Sequence, residues 1–194
     1  MVDDPDVQIV IELIGGYEPA RELVMRAIAN GKHVVTANKA LIATHGNEIF
    51  AAAQAQGVMV AFEAAVAGGI PIIKAIREGL AANQIEWLTG IINGTSNYIL
   101  ERMSEAGLDF DAALGEAQQL GYAEADPTFD VDGIDAAQKL AILARLAFHT
   151  RVDPEAVYCE GIRKITANDI RQAASMGCRI KLLAMARRCD DGID

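Results

Sequence analysis

Two short runs decide the fold: Val7-Gln-Ile-Val-Ile-Glu-Leu13, closed by Gly15-Gly16, and His33-Val-Val-Thr36, entered from Asn30-Gly31. The first is rich in β-branched residues and ends in a tight turn, which predicts a buried strand over 7–13. Between the runs, residues 18–29 place Ala20, Leu23, Val24, Ala27 and Ile28 at helical spacing, and Asn30-Gly31 is a good helix terminator. The second strand, 33–36, follows at once. Working outward, helices are expected over 38–44 and 47–56 and a further strand over 58–62. Strand and helix alternating in this way imply parallel β-α-β units and part of a doubly wound sheet.

Beyond Phe62 the pattern changes. Ala67-Gly68-Gly69 is a glycine-rich connection, and Pro71 suits the first turn of a helix. A strand over 84–92 is expected to lead into the turn Asn93-Gly94-Thr95. Helices follow over 96–105 and 109–120, then an irregular stretch over 121–129. A long apolar helix over 134–149, a shorter one over 168–176 and a strand over 179–186 complete the order. The chain thus divides at 62/63 into an α/β part resembling the carboxyl half of a Rossmann-like domain and an α+β part. A dinucleotide fold usually opens on a G-x-G-x-x-G turn, whose backbone N–H groups meet the pyrophosphate. No such turn occurs in these 194 residues.

Bulk composition narrows the function classes. With 52% hydrophobic residues the chain can bury a core, while a net charge of −10 and the lack of a basic stripe argue against a nucleic-acid partner. Cys159, Cys178 and Cys189 are odd in number and widely spaced, which fits neither a disulfide framework nor a Cys-x-x-Cys metal site. The most apolar stretch, 58–73, is interrupted by Glu63, Gly68, Gly69 and Pro71, so no membrane span is expected. The acidic start (Asp3, Asp4, Asp6) does not resemble a signal peptide, and a cytoplasmic location follows as the expectation.

The segment richest in chemistry is Gly121-Tyr-Ala-Glu-Ala-Asp-Pro127, continued by Asp130-Val-Asp-Gly-Ile-Asp-Ala-Ala-Gln-Lys139. It carries Glu124, Asp126, Asp130, Asp132 and Asp135 close together, which favours a cationic ligand. Asp135 and Lys139 are four apart and share a helix face. Such a pair is commonly a solvated surface contact worth a few tenths of a kcal/mol. Here, however, Ile134, Ala136, Ala137, Leu140, Ala141, Ile142, Leu143 and Ala144 surround the lysine with apolar residues. A lysine drawn into such a setting is a candidate for proton transfer.

These motifs resemble homoserine dehydrogenase. The resemblance rests on that segment together with Phe62-Glu-Ala-Ala-Val-Ala-Gly-Gly-Ile-Pro71, Ile91-Ile-Asn-Gly-Thr-Ser-Asn-Tyr98 and Val34-Val-Thr-Ala-Asn-Lys39, all in the family's order. It implies NAD- or NADP-dependent interconversion of L-homoserine and L-aspartate 4-semialdehyde, in threonine, methionine and isoleucine biosynthesis. Lys139 matches the family's catalytic lysine; Glu124 and Asp135 match acids that bind the amino-acid substrate, with Asp130 assisting. Lys39 matches a lysine beside nicotinamide and substrate, and Gly15 and Gly121 match positions close to the cofactor. Main-chain oxygens of Glu63, Val66, Gly68 and Ile70 match a sodium-binding loop. The family also implies a homodimer or homotetramer joined through the second part's sheet.

Blander readings stand beside several of these. Lys39 equally suits an exposed helix start, Gly121 an ordinary helix stop after Leu120, and Glu63 the acid at the head of a helix in a domain-crossing turn. His33, His45 and His149 are too scattered for a metal set. Asn93-Gly-Thr95 matches a glycosylation pattern but reads as a turn, and Trp87 suits either the sheet or a subunit contact. The expected activity has a rival as well. Measured against the family's pattern, the chain lacks the glycine-rich loop, the 2′-reading residue and the carboxyl-terminal return segment, so a catalytically silent substrate-binding or dimerisation fragment is the alternative.

Overall fold

The computed structural model describes residues 1–190 and 192–194. Two compact units are present: one holds 1–86 and 138–156, the other 87–137 and 157–194. The expected division at 62/63 therefore does not coincide with the division by compactness. Glu63 accounts for part of the difference, since its carboxylate accepts from the N–H groups of Ile73 (2.7 Å) and Lys74 (3.0 Å) and draws the following connection back onto the first unit.

The first unit is built on β1 (Ile9–Glu12), α1 (Ala20–Ala29), β2 (His33–Thr36), α2 (Lys39–Gln56) and β3 (Val60–Ala61). The strands pair in parallel in the order β1-β2-β3, with Ile9 opposite His33 and Val34 opposite Val60. Strands that advance in one direction through right-handed crossovers place both helices on the same face. That face buries Val10, Glu12, Val34 and Thr36, while Ile11 is 63% exposed on the other. The first strand, expected to be buried on both sides, is thus half-buried in this chain.

Instead of two helices over 38–44 and 47–56, α2 runs unbroken through Gly46. A Cβ at Gly46 would lie 2.7 Å from Nη1 of Arg145, so the missing side chain makes room for a guanidinium. Arg145 donates to the carbonyls of Ile42 (3.0 Å), Ala43 (2.8 Å) and Val152 (3.1 Å). The helix stops at Gly57, whose φ of 67° is a left-handed conformation that glycine adopts without strain. After a 3₁₀ turn at Glu63–Ala65, α3 (Ile72–Lys74) begins behind Pro71 and continues as a wider turn over Ala75–Gly79.

The second unit contains β4 (Trp87–Gly90), α4 (Gly94–Ala106), α5 (Phe110–Gln119), α6 (Thr128–Val131), the start of α7 (Ile134–Phe148), α8 (Ala167–Ser175), β5 (Ala184–Cys189) and β6 (Gly192–Ile193). Its core joins Ile99, Leu100 and Met103 of α4 to Ala113 and Ala117 of α5 and to Val131, Ile162 and Ile170. Side-chain caps fix the helix starts: Asn93 for α4, Asp109 for α5, and a reciprocal Thr166–Asp169 box for α8. The strands form an antiparallel sheet in the order β4-β5-β6, with Trp87 opposite Arg187.

β5 begins five residues later than the expected 179 and extends to Cys189. Its lead-in is diverted by Asn97, whose amide donates to the Leu182 carbonyl (3.0 Å) and accepts from the Leu182 N–H (3.0 Å). Leu182 is thereby docked on α4 before the sheet starts. One face of this sheet leaves Trp87 61% exposed beside an equally exposed Met185. Among the described residues, no helix is long and apolar enough to cross a membrane, and all three cysteines are free.

Candidate active site

In the first unit, β1 and β2 end side by side at a buried hydroxyl–carboxylate pair. Glu12, 3% exposed, accepts from the hydroxyl of Thr36 (2.5 Å) and from the N–H groups of Ile14 (2.7 Å) and Gly15 (3.2 Å). The Thr36 oxygen in turn accepts from the Asn38 N–H (2.9 Å). Asn38 donates its amide to the Gly16 carbonyl (2.7 Å) and caps α2 by accepting from the Leu41 N–H (3.1 Å). One chain of hydrogen bonds therefore fastens the Gly15–Gly16 turn to the start of α2, where Lys39 is the first helical residue, half-buried. This is the carboxyl edge of the parallel strands, where nucleotide ligands sit in such sheets. With its N–H engaged by Glu12, Gly15 is not a phosphate cradle of the glycine-rich kind; at φ 80° it is a turn glycine.

The loop after β3 has two successive left-handed residues, Ala67 and Gly68, with φ of 62° and 57°. Val66 is buried and Ile70 exposed. Since the Glu63 carboxylate is committed to the start of α3, only its main-chain oxygen is available to an ion. That oxygen accepts from the Val66 N–H (3.4 Å), and the Ile70 oxygen accepts from the Ile72 N–H (2.8 Å). Each carbonyl keeps a second lone pair, so a carbonyl-lined monovalent-cation site is compatible with the loop. Among the described residues, no group of three or more His, Cys, Asp or Glu side chains could hold a metal.

The second unit gathers two of the expected substrate acids around one amide. Asn93, 3% exposed, donates through Nδ2 to Asp130 (2.7 Å) and to Asp135 (2.8 Å), which is itself 3% exposed. Its Oδ1 accepts from the Ser96 N–H (2.9 Å), and the Ser96 hydroxyl donates to the Asp130 carbonyl (2.9 Å). A buried asparagine serving as a helix cap is no glycosylation acceptor, which settles the Asn93-Gly-Thr95 pattern as structure. Glu124 and Gly121 lie outside this cluster on the exposed stretch after α5. Gly121 closes that helix at φ 77°, its N–H donating to the Gln118 carbonyl (3.1 Å). The Glu124 carbonyl accepts from the Gln118 side chain (3.0 Å).

Lys139 stands on α7 one turn after Asp135. It is half-buried, between buried Gln138 and Leu140 and close in sequence to the buried Ala141–Ala144 stretch. Two residues important to the geometry had no functional reading in the sequence. Glu12 was visible only as a charged residue in an apolar strand, a pattern that hints at a carboxylate with buried donors. Asn93 was legible only as part of a turn, and its partners lie 37 and 42 residues further on.

A parallel β-α-β sheet of nucleotide-binding type, continued by an α+β unit with a buried acid–amide cluster and a lysine on an apolar helix, defines a two-part α/β class. Two family models cover nearly the whole chain: "Homoserine dehydrogenase, NAD binding domain" over residues 1–63 and "Homoserine dehydrogenase" over 71–193. The chain belongs to the homoserine dehydrogenase family. A homoserine dehydrogenase of Pseudomonas aeruginosa is 63% identical over 191 residues, 98% of this chain and 44% of its own length. The crystal structure of a homoserine dehydrogenase from Thiobacillus denitrificans superimposes with a TM-score of 0.97 at 69% identity, covering 99% of this chain and 44% of that one. A hyperthermophilic archaeal homoserine dehydrogenase in complex with NADPH matches with a TM-score of 0.81 at 32% identity, over 93% of this chain and 53% of that one. The chain thus spans less than half the length of the first two relatives.

Proposed function

We propose that this chain carries the substrate-binding and proton-transfer residues of an NAD(P)-dependent homoserine dehydrogenase, interconverting L-homoserine and L-aspartate 4-semialdehyde in threonine, methionine and isoleucine biosynthesis. The observation that carries the reading is the cluster of half-buried Asp130 with buried Asn93 and Asp135 at the head of the helix bearing Lys139. Asn93 supplies a donor to each carboxylate, and the acids meet the substrate ammonium by charge complementarity. Glu124, on its exposed stretch, adds a third acid to the recognition of that group. Lys139 takes the C4 hydroxyl proton during oxidation and returns it during reduction.

The nicotinamide of NAD or NADP supplies the hydride acceptor or donor. Lys39 at the head of α2, Gly15 and Gly121 are the family-matched positions for contacting it; Gly15 contributes close approach of backbone, its N–H being engaged by Glu12. Main-chain oxygens of Glu63, Val66, Gly68 and Ile70 suit sodium, which as a hard cation prefers oxygen donors. Residues 1–62 serve as the nucleotide part and 63–194 as the substrate, catalytic and dimerisation part. The exposed sheet face with Trp87 and Met185 suits the contact of a homodimer or homotetramer. The chain operates in the cytoplasm, without nucleic-acid or membrane partners.

The test is NADPH oxidation by the purified chain with aspartate semialdehyde, for the unmodified protein and for Lys139→Ala. Turnover by the former, lowered roughly 10²- to 10⁴-fold in kcat with KM little changed in the latter, supports the assignment. An unchanged kcat removes Lys139 from the mechanism. Binding of homoserine without turnover supports the alternative, a substrate-binding or dimerisation module.

A further inference from the structure

We infer that Arg145 is a positioning residue of the proton-transfer step: from α7 it grips the main chain of α2 and so fixes where Lys139 stands relative to Lys39. The inference rests on the reading of those two lysines given above. All the residues involved belong to the first unit, which holds 1–86 and 138–156. The guanidinium donates to the carbonyls of Ile42 (3.0 Å) and Ala43 (2.8 Å) on α2, and to that of Val152 (3.1 Å) beyond the end of α7. A helical carbonyl that already accepts within its own helix keeps a second lone pair for such a bond. Two adjacent carbonyls met by one planar fork define both the height of Arg145 along α2 and the angle from which it arrives. Gly46 completes the fit from the side of α2, since a Cβ there would lie 2.7 Å from Arg145 Nη1 and 3.2 Å from Phe50. Glycine is among the residues least suited to a helix interior, and it stands at the turn the guanidinium crosses.

Burial pushes the Arg145 pKa down, and its three partners are neutral carbonyls. Apolar side chains would join the two helices without desolvating a charge, but they would give the contact no direction. A half-buried cation held by directed bonds sets register. That register matters because of what lies further along each helix. Lys39 is three residues before Ile42, a rise of about 4.5 Å, and Lys139 is six residues before Arg145, a rise of about 9 Å. Unbroken helix joins each lysine to the clamp, so no loop absorbs a displacement between them. Proton transfer needs hydrogen-bond reach, and a misplacement of about 1 Å costs on the order of 100-fold in rate.

The experiment releases the clamp from each helix in turn, with Arg145→Met and Gly46→Ala, and reads position and rate separately. Arg145→Lys, which keeps the charge and loses the fork, gives the same reading in a milder variant. Position is read with a nitroxide on Thr44→Cys, exposed on α2, in a chain whose Cys159, Cys178 and Cys189 are changed to serine. The broadening of the amide signals of residues 138–144 should change in each variant, while that of residues 33–36 stays as in the parent chain. A merely structural role lowers the melting temperature and leaves the profile over 138–144 unaltered, which overturns the inference. Rate is read as NADPH oxidation with aspartate semialdehyde. In each variant kcat should fall roughly 10- to 100-fold with KM little changed. The double variant Gly46→Ala/Arg145→Met should be no slower than the slower single one, because both changes remove one shared contact. A changed profile with unchanged kcat overturns the inference, as do losses that multiply in the double variant. An unmodified chain without turnover counts against the catalytic reading of the lysines, and the profile then decides the clamp by itself.

Discussion

Replacing Glu12 by glutamine tests whether the carboxyl edge of the parallel sheet is organised from beneath by a buried charge. The substitution keeps the shape of the side chain but gives it only one acceptor oxygen. That oxygen can retain the N–H groups of Ile14 and Gly15, which lie 2.7 and 3.2 Å away. The new NH₂ group then faces the Thr36 hydroxyl, whose oxygen already accepts from Asn38 at 2.9 Å. The hydroxyl proton loses its acceptor at a residue with 0% exposure. A charge-assisted bond contributes about 1.5–3 kcal/mol, and an orphaned buried donor costs about 1–3 kcal/mol. Relief from burying the charge offsets part of this, leaving a net destabilisation of about 1–3 kcal/mol. For a chain of this length each kcal/mol lowers the melting temperature by about 2–4 °C. Thermal unfolding reads that shift, and amide hydrogen exchange locates it: Ile14, Gly15 and Asn38 should exchange faster, while Val34, bonded to the Met59 carbonyl inside the sheet, should not. An unchanged melting temperature, or acceleration shared equally by Val34, would refute the reasoning.

Two further substitutions address other elements. Gly46→Ala gains about 1 kcal/mol of helix propensity, but its Cβ would fall 2.7 Å from Arg145 Nη1 and 3.2 Å from Phe50. Displacing the guanidinium from the Ile42 and Ala43 carbonyls costs about 1–3 kcal/mol in a partly buried setting, so urea denaturation should show a net loss, and a gain would sink the packing argument. Glu116 has its carboxyl held below the ordinary range by the Arg102 guanidinium first and the Tyr98 hydroxyl second. Its stabilisation is present above the unfolded value, about 4.3, and fades as pH falls through the depressed folded value. Unfolding curves of the native chain and Glu116→Gln should therefore stay a constant distance apart at neutral pH and converge in acid; divergence on acidification would contradict the ion pair.

What the sequence made legible was local. The β-α-β run over 9–36 follows from β-branched runs, a helical interval and Asn30-Gly31, all within one window of chain. What escaped was set by partners distant in sequence. Gly46 looks like a breaker until Arg145, 99 residues on, fills the space it leaves. The start of β5 depends on Asn97 engaging Leu182, 85 residues away. The density of acids around 130 and 135 suggested a cationic ligand, while the amide that donates to both of them was legible only as part of a turn. The half-buried character of β1 escaped for a different reason, since an apolar run reports that a strand can be covered on both faces and not whether it is.

α7 is one continuous helix carrying both Asp135 and Lys139, the acid and the lysine proposed above for the substrate site. Residues 134–137 fall in the second unit and 138–148 in the first, yet all are turns of one continuous helix. Four residues along a helix correspond to a rise of about 6 Å with the side chains on nearly the same face. Asp135 and Lys139 thus keep a fixed axial offset that depends on helix geometry, not on any loop. Asn93 donates to Asp135 at 2.8 Å, and buried Gln138, Leu140 and Ala141 flank Lys139 in sequence. Proton transfer demands a reach of one hydrogen bond, and a rigid helix is the element best able to hold two polar groups to that tolerance inside an otherwise apolar stretch.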